Sequence, residues 1–449
     1  MSLWALSARE AAARIRTGSL TSVDLVRACL DRIAETDEGI GAWAYLDAET
    51  ALAQAEAMDD LRRRGRPVGA LHGVPVGVKD IFETRDMPTG LGSPLHEGRT
   101  GDTDAALIER LRSAGAVILG KTVTTPFAFA SPAHTRNPHD PERTPGGSSS
   151  GSAAGIAAGH ISLALATQTG GSVIRPASFC GIYGYKPTRG LLSRRGCLRT
   201  SASLDQPGLF ARSLDDLAIL ADTLTGFDTA DPASIPRPVP QLEAGYASPA
   251  PVEPLFAWFD LPYADRLSPA MRAGLDEFVE MLGDRVERVS TPASFAAILD
   301  HHATVHRYEF YHALSNDPAL APDLTDDVMK GLLAHGARIT KAEYEDSRSW
   351  IAGAEDWFAA FFNDYDAIIA PSALGEAPPI AEGTGDAVCS LVWTFAGLPC
   401  LSLPWLTGDA DLPMGIQLIG SAEEDDRLFR TAAWLERTLD GPDEEEEIA

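Results

Sequence analysis

Short apolar segments alternate with helical patterns along this chain, and the alternation restricts the fold more than any other feature. Residues 74–78, 116–119, 161–166 and 367–370 are typical of strands, and residues 104–114 between the first two have helical spacing. Such alternation favours an α/β architecture. We therefore expect a central mixed, twisted β-sheet covered by helices on both faces.

The 449 residues are interpreted as one large domain. Apolar segments continue on both sides of the proline-rich stretches, and no internal repeat is visible. The expected parts are an N-terminal helical layer at 1–70, a catalytic core at 71–230, a variable substrate-pocket region at 230–350, the C-terminal part of the core at 351–440, and an acidic tail at 441–449. The helical layer is expected to break at Gly18.

Charge and cysteine content exclude several classes of protein. There are 37 Lys and Arg against 64 Asp and Glu, which gives a net charge of −27 and would repel a phosphate backbone. The five cysteines lack the spacing of a disulfide framework or a zinc site. No segment has the length and apolarity of a membrane span. We expect a cytoplasmic protein with no metal, organic cofactor, nucleic-acid or membrane partner, and leave a homodimer open.

Two motifs match known sites by letter only. Residues 115–122 read GAVILGKT, which fits the phosphate-loop pattern, but the four residues between the glycines resemble the strand that should precede such a loop. We reject the match and keep a P-loop nucleotidase as the weakest alternative. His302 and His306 are four residues apart, but Ala303 stands where a metalloprotease needs glutamate. A plain helix face is the favoured interpretation.

A Gly/Ser-rich block carries the functional signal. Residues 144–152 read TPGGSSSGS, and residues 167–176 read TQTGGSVIRP. A flexible linker would join domains, whereas this block runs directly into a small-residue helical stretch at 153–158. Glycines next to serines place backbone amides and hydroxyls close to a ligand. The pattern therefore predicts a catalytic or anion-binding loop.

With these blocks the chain resembles the amidase signature family of serine hydrolases. Ser148 and Ser172 are 24 residues apart, as the paired serines of that family are, and Lys79 in the segment GVPVGVKD fits its lysine motif. Further matching blocks lie at 181–187 and 397–417. The resemblance covers most of the chain except 230–350 and implies the amidase signature fold.

The resemblance implies a three-residue catalytic relay. Ser172 would be the nucleophile, Ser148 the bridging serine and Lys79 the base. A serine hydroxyl is a weak nucleophile until a base takes its proton. A lysine can act as that base when burial lowers its pKa. Ser148 would pass the proton of Ser172 to Lys79 and later return one to the departing amine.

The resemblance also implies supporting groups. A cis peptide bond would join Gly147 to Ser148, and Ser149 would hydrogen-bond to Lys79. The oxyanion hole would consist of backbone N–H groups, where two glycines permit close approach. Its expected residues are Thr169, Gly170, Gly171 and Ser172.

Two departures from the family pattern bear on specificity. Gln168 and Ile174 occupy positions where many members carry Asp and Arg, and a paired loss of charge need not harm the nucleophile. Arg175 follows one residue later, an arrangement that resembles the malonamidase branch, in which an arginine faces a substrate carboxylate. Whether Arg175 binds substrate or holds a loop carbonyl or a carboxylate of its own chain is left open.

These features predict an amidase that acts on linear C–N bonds other than peptide bonds. Esters and carbamates (urethanes) pass through the same tetrahedral chemistry and are further expected substrates. An alternative within the family is a glutamine-dependent amidotransferase subunit, which would deliver ammonia to a partner. The net charge and the missing Asp/Arg pair argue against it. A catalytically silent binding protein is the alternative from another class.

Overall fold

The computed structural model describes residues 2–321 and 325–440. The predicted acidic tail at 441–449 lies outside this range. Within it, eleven strands form one sheet. The strands are β1 (Trp43–Leu46), β2 (Pro75–Lys79), β3 (Val117–Thr122), β4 (Leu163–Gln168), β5 (Tyr183–Lys186), β6 (Gln206–Ala211), β7 (Phe256–Phe259), β8 (Val286–Val289), β9 (Ala367–Pro371), β10 (Cys400–Thr407) and β11 (Pro413–Ile419).

Fourteen α-helices occur in the same described ranges. They are α1 (Ala8–Thr17), α2 (Ser22–Ile40), α3 (Ala48–Arg63), α4 (Ala106–Ser113), α5 (Ser150–Ala157), α6 (Ile174–Cys180), α7 (Leu214–Leu224), α8 (Leu242–Ala247), α9 (Pro269–Leu282), α10 (Ser294–Leu314), α11 (Asp327–Gly336), α12 (Lys341–Phe361), α13 (Val388–Phe395) and α14 (Asp425–Asp440). None of these helices has the length and apolar character that crossing a membrane requires.

The sheet is mixed, as the alternation of segments predicts. Its strand order is β1-β3-β2-β4-β6-β5-β10-β11-β9-β7-β8. The parallel pairs are β2 with β3 and β4, and β7 with β8 and β9; the remaining neighbours are antiparallel. Every residue of β2, β3, β4 and β6 is buried, which requires cover on both faces. The expected α/β fold is confirmed.

Local sequence signals explain the first helices. Ser7 accepts a hydrogen bond from the Glu10 N–H at the start of α1, and Thr21 does the same for Asp24 at the start of α2. Gly18 ends α1 with a φ of 80°, a conformation that favours glycine. The predicted break at Gly18 is confirmed. The N-terminal layer is not wholly helical, however, because β1 pairs with β3 and edges the sheet.

Three other sequence interpretations can be compared with the fold. The phosphate-loop match continues as strand from Val117 to Thr122, which confirms its rejection. His302 and His306 lie on one helix, α10. The region 230–350 contains β7 and β8, which extend the central sheet beyond β9. That region is therefore part of the same sheet architecture and not a separate lobe.

Candidate active site

The carboxyl ends of parallel strands gather the candidate residues. Lys79 is the last residue of β2, and β4, which pairs with β2 in parallel, ends at Gln168. Parallel neighbours end at the same edge of a sheet, where α/β proteins place their ligands. Lys79 and the segment after Gln168 therefore meet at one edge of the sheet.

The Gly/Ser-rich block packs directly against this edge. Gly146 has a φ of 83°, and a Cβ on Gly151 would lie 2.2 Å from the carbonyl oxygen of Ala42. Any larger residue at Gly151 would push the start of α5 away from the sheet. The peptide bond between Gly147 and Ser148 is cis, as the resemblance implies.

Lys79 is fully buried and contacts hydroxyl groups. Its Nζ donates to the Oγ of Ser148 and to the Oγ1 of Thr167, each at 2.8 Å. Burial lowers the pKa of Lys79 to about 7, although the charges of Cys197 and Asp205 act to raise it. The amine is therefore present in substantial neutral fraction near pH 7, the form that a base requires.

The prediction that Ser149 hydrogen-bonds to Lys79 is wrong. The Oγ of Ser149 donates to the backbone oxygen of Thr167 at 3.3 Å and accepts from the Thr167 N–H at 3.4 Å. Ser149 thus ties the Gly/Ser-rich block to the backbone of β4, while the side chain of Thr167 occupies the position expected for Ser149. The sequence shows that Thr167 places a hydroxyl near the end of a strand. Its contact with Lys79 follows only from the pairing of β2 with β4.

Ser172 lies between β4 and α6 and is partly exposed. Its hydroxyl forms no hydrogen bond with Ser148 in the described part of the chain. Catalytic hydrogen bonds are often long without substrate and tighten when it binds. The link from Lys79 to Ser148 is therefore present in the structure, and the link from Ser148 to Ser172 stays a prediction.

Gln168 holds the segment that leads to Ser172. Its Oε1 accepts hydrogen bonds from the N–H groups of Val173 and Ile174 at 2.8 and 3.0 Å, and its Nε2 donates to the Oγ1 of Thr394 at 2.9 Å. A neutral amide thereby spans the turn at the position where many family members have an aspartate. The segment keeps an anchor although both charges of the family pattern are missing.

The predicted oxyanion residues present unpaired donors. Within the described residues, no acceptor bonds to the backbone N–H of Thr169, Gly170, Gly171 or Ser172. A row of free N–H groups beside a serine hydroxyl is the arrangement that stabilises a negative oxygen in acyl transfer. The function of these groups stays a prediction.

Arg175 braces two loops. It is 6% exposed. Its guanidinium donates to the carbonyl oxygens of Gly385 and Gly147 and, at 3.3 Å, to the hydroxyl of Thr384. Burial lowers its pKa to about 10, and no carboxylate in the described ranges forms an ion pair with it. These contacts match the loop-carbonyl interpretation of Arg175, and recognition of a substrate carboxylate stays a prediction.

Two cavities differ in their relation to this site. A cavity of about 870 Å³ is lined by Arg189, Arg237 and Glu355 among others, and none of the candidate catalytic residues borders it. A cavity of about 10 Å³, room for about one water, is lined by Thr167 and Thr169 among others. The smaller cavity lies beside Thr167, a hydrogen-bond partner of Lys79. The volume of a cavity therefore does not identify the candidate catalytic site in this protein.

The chain is similar to known proteins along nearly its whole length. The family model Amidase matches residues 24–429. A glutamyl-tRNA(Gln) amidotransferase subunit from Thermobifida fusca (strain YX) is 34% identical over 97% of this chain and 96% of the relative. The corresponding subunit from Anaeromyxobacter dehalogenans (strain 2CP-C) is 36% identical over the same shares.

Solved structures give the same picture. The peptide amidase from Stenotrophomonas maltophilia superposes with a TM-score of 0.84 at 29% identity, covering 98% of both chains. A structure described as a vestigial protein complex that reveals the evolutionary origins of an s-triazine catabolic enzyme has a TM-score of 0.90 at 29% identity, covering 96% of this chain and 98% of the other. The fold and the sequence place the chain in the class of α/β enzymes that includes the amidases. The chain belongs to the amidase signature family, as its motifs indicate.

Proposed function

We propose that this chain cleaves an amide C–N bond through an acyl-enzyme on Ser172, with Ser148 and Lys79 as the proton relay. The observation that carries the proposal is the buried Lys79, which is hydrogen-bonded to Ser148 and has a pKa lowered to about 7. A buried amine with only hydroxyl partners supplies a base at neutral pH.

The proposed steps keep every proton accounted for. Neutral Lys79 takes the proton of Ser148 along their 2.8 Å contact, and Ser148 takes the proton of Ser172. The Ser172 oxygen bonds to the amide carbon. The free N–H groups of residues 169–172, the oxyanion segment, then stabilise the negative charge on the former amide oxygen. The proton then returns through Ser148 to the amine as the C–N bond breaks. Water hydrolyses the resulting ester by the same relay.

A second candidate function is supported by the curated relatives. Those at 34% and 36% identity over nearly full length are named as amidotransferase subunits, which favours the alternative over a free-standing amidase. In that function the amide would be that of glutamine, and the ammonia would pass to a partner. The charge of −27 argues only against direct RNA contact by this chain.

The finer specificity is part of the proposal. Ester and carbamate cleavage would follow from the same tetrahedral intermediate. Arg175 would bind a substrate carboxylate only by giving up contacts to the carbonyls of Gly147 or Gly385. Its involvement therefore predicts that diacid monoamides are better substrates than the corresponding neutral amides.

A substrate panel tests the proposal. Purified protein is assayed with glutamine, small amides, diacid monoamides, aryl amides, esters and carbamates, and released ammonia, amine or alcohol is measured. We expect turnover that Ser172→Ala abolishes. Glutamine cleavage that rises when amidotransferase partner proteins are added would favour the second candidate. No turnover with any substrate, together with no labelling of Ser172 by a serine-directed probe, would identify a binding protein.

A further inference from the structure

The segment from Thr169 to Ser172 is held by its carbonyl groups. The carbonyl oxygen of Thr169 lies 2.8 Å from the Nε2 of His302. The carbonyl oxygen of Gly170 accepts from the Thr394 hydroxyl at 2.8 Å, and that of Gly171 accepts from the Arg175 N–H at 3.0 Å. Three successive peptide groups are thus anchored through their oxygens.

Because these carbonyl groups are held, the direction of the neighbouring backbone N–H groups is fixed as well. A peptide group is planar and trans, so its C=O and the N–H of the following residue point in opposite directions. Fixing the carbonyls of Thr169, Gly170 and Gly171 therefore fixes the N–H groups of Gly170, Gly171 and Ser172 on the other side of the segment. Those N–H groups are the ones without an acceptor in the described residues.

His302 is able to act as a permanent donor. It lies on α10 and is 3% exposed. A carbonyl oxygen only accepts hydrogen bonds, so the Nε2 of His302 carries the hydrogen. Burial lowers the pKa of His302 to about 4, which keeps the ring neutral. The helix face that the sequence suggested thus contains a buried contact to the oxyanion segment.

The three anchors differ in what supports them. Gly171 is held by a backbone bond from Arg175, and Thr394 is itself bonded to Gln168. The peptide group between Thr169 and Gly170 is followed by Gly171, so two glycines in succession leave this peptide group free to rotate unless its carbonyl is held. Thr169 also donates its hydroxyl to the carboxylate of Asp205, but that contact leaves the Thr169 carbonyl untouched. In the described ranges, His302 is the side chain that holds this carbonyl.

We propose that His302 is a positioning residue, whose hydrogen bond to the Thr169 carbonyl keeps the Gly170 N–H directed at the reacting oxygen of the substrate. This inference rests on the proposed function, because it assigns His302 to the same oxyanion site. Loss of the bond would allow the Thr169–Gly170 peptide to flip and replace a donor by an acceptor. Ground-state binding elsewhere on the substrate would be unaffected.

Two amide substitutions with different reach test the proposal. His302→Gln places a donor near the position of Nε2, whereas His302→Asn carries the same amide too far from the carbonyl. We expect kcat to fall about 10²-fold in His302→Asn, the scale of one lost oxyanion donor, and to stay within about fivefold of the parent in His302→Gln. KM should stay within about threefold in both, and a boronic acid inhibitor should weaken in parallel with kcat.

The controls separate this inference from the proposed function. His306→Asn changes a histidine one turn along α10 whose Nε2 has no hydrogen-bond partner among the described residues, and it should keep the parent kcat. Circular dichroism establishes that each variant is folded. Parent kcat in His302→Asn, or equal losses in the Gln and Asn variants, would overturn the inference while leaving the relay intact. Turnover in Ser172→Ala would overturn the proposed function itself.

Discussion

Two fully buried lysines lie on neighbouring parallel strands and differ in their partners. Lys79 ends β2, and Lys121 lies in β3 one position before the residue that pairs with Lys79. Lys121 bonds to the Thr89 hydroxyl at 2.7 Å and lies 3.3 Å from the carboxylate of Asp80. The hydrogen-bond partners of Lys79 are the hydroxyls of Ser148 and Thr167.

The difference shows that burial alone does not make a base. Burial lowers the pKa of both lysines, but the adjacent Asp80 acts to raise that of Lys121, whereas no carboxylate contacts Lys79 in the described residues. A nearby opposite charge favours the ammonium form. Lys121 therefore has a carboxylate beside it that favours its ammonium form, whereas burial lowers the pKa of Lys79 to about 7.

Replacing each lysine by methionine gives the largest expected contrast. Lys79→Met should lower kcat by about 10²- to 10⁴-fold, because it removes the general base. Lys121→Met should keep kcat within about threefold and instead lower the free energy of unfolding, since Asp80 loses its cation. Steady-state assays on a cleaved amide and denaturant unfolding measure the two effects. Comparable losses of kcat in both folded variants would contradict the distinction.

Removing the carboxylate tests the other half of the contrast. Asp80→Asn leaves Lys121 buried without its counter-charge, which should cost about 3–5 kcal/mol in the free energy of unfolding. The double variant Asp80→Asn with Lys121→Met should recover part of this loss, because no uncompensated charge remains. Urea unfolding of the two variants measures the change in the free energy of unfolding. An unchanged midpoint in Asp80→Asn would mean that the pair does not stabilise the fold.

The sequence predicts two strands, at 74–78 and 116–119, that end just before the two lysines, but it does not predict which strands are neighbours. The expected strand at 74–78 is found as Pro75–Lys79, and the Gly/Ser-rich block begins α5 as expected. Thr167 becomes a partner of Lys79 only because β4 lies beside β2, and strand order is set by packing over the whole chain. The family resemblance identified Ser148 correctly as a neighbour of Lys79 and Ser149 incorrectly.

The contribution of α10 could not be predicted for a similar reason. Helical spacing placed His302 and His306 on one face, yet spacing does not show which element that face meets. His302 reaches Thr169 across 133 positions of sequence. Such a contact depends on the packing of the region 230–350 against the core, for which no local signal exists.

The pH dependence of turnover is a further test of the contrast between Lys79 and Lys121, with a smaller expected effect than the substitutions above. The pKa of Lys79 is about 7 in the folded protein, and the base is its neutral form. Activity should therefore be present above pH 7 and fall about tenfold per pH unit below it. A profile of kcat/KM from pH 5 to 9 measures this in the parent and in Lys121→Met, which should share the same midpoint. A flat profile would contradict a lysine base.

The smallest expected effect comes from the second hydroxyl partner of Lys79. An acceptor next to an ammonium favours the charged form, so Thr167→Val should lower the pKa of Lys79 and move the midpoint of the profile to lower pH by less than about one unit. Loss of one hydrogen bond, about 0.5–1.5 kcal/mol, should reduce kcat only a few fold. Thr167→Ser keeps the hydroxyl and should restore both values.

Ser149→Ala should leave the midpoint in place, because Ser149 contacts the backbone of Thr167 and not the amine. A midpoint that moves with Ser149 and not with Thr167 would mean that the hydroxyl which tunes Lys79 has been misassigned.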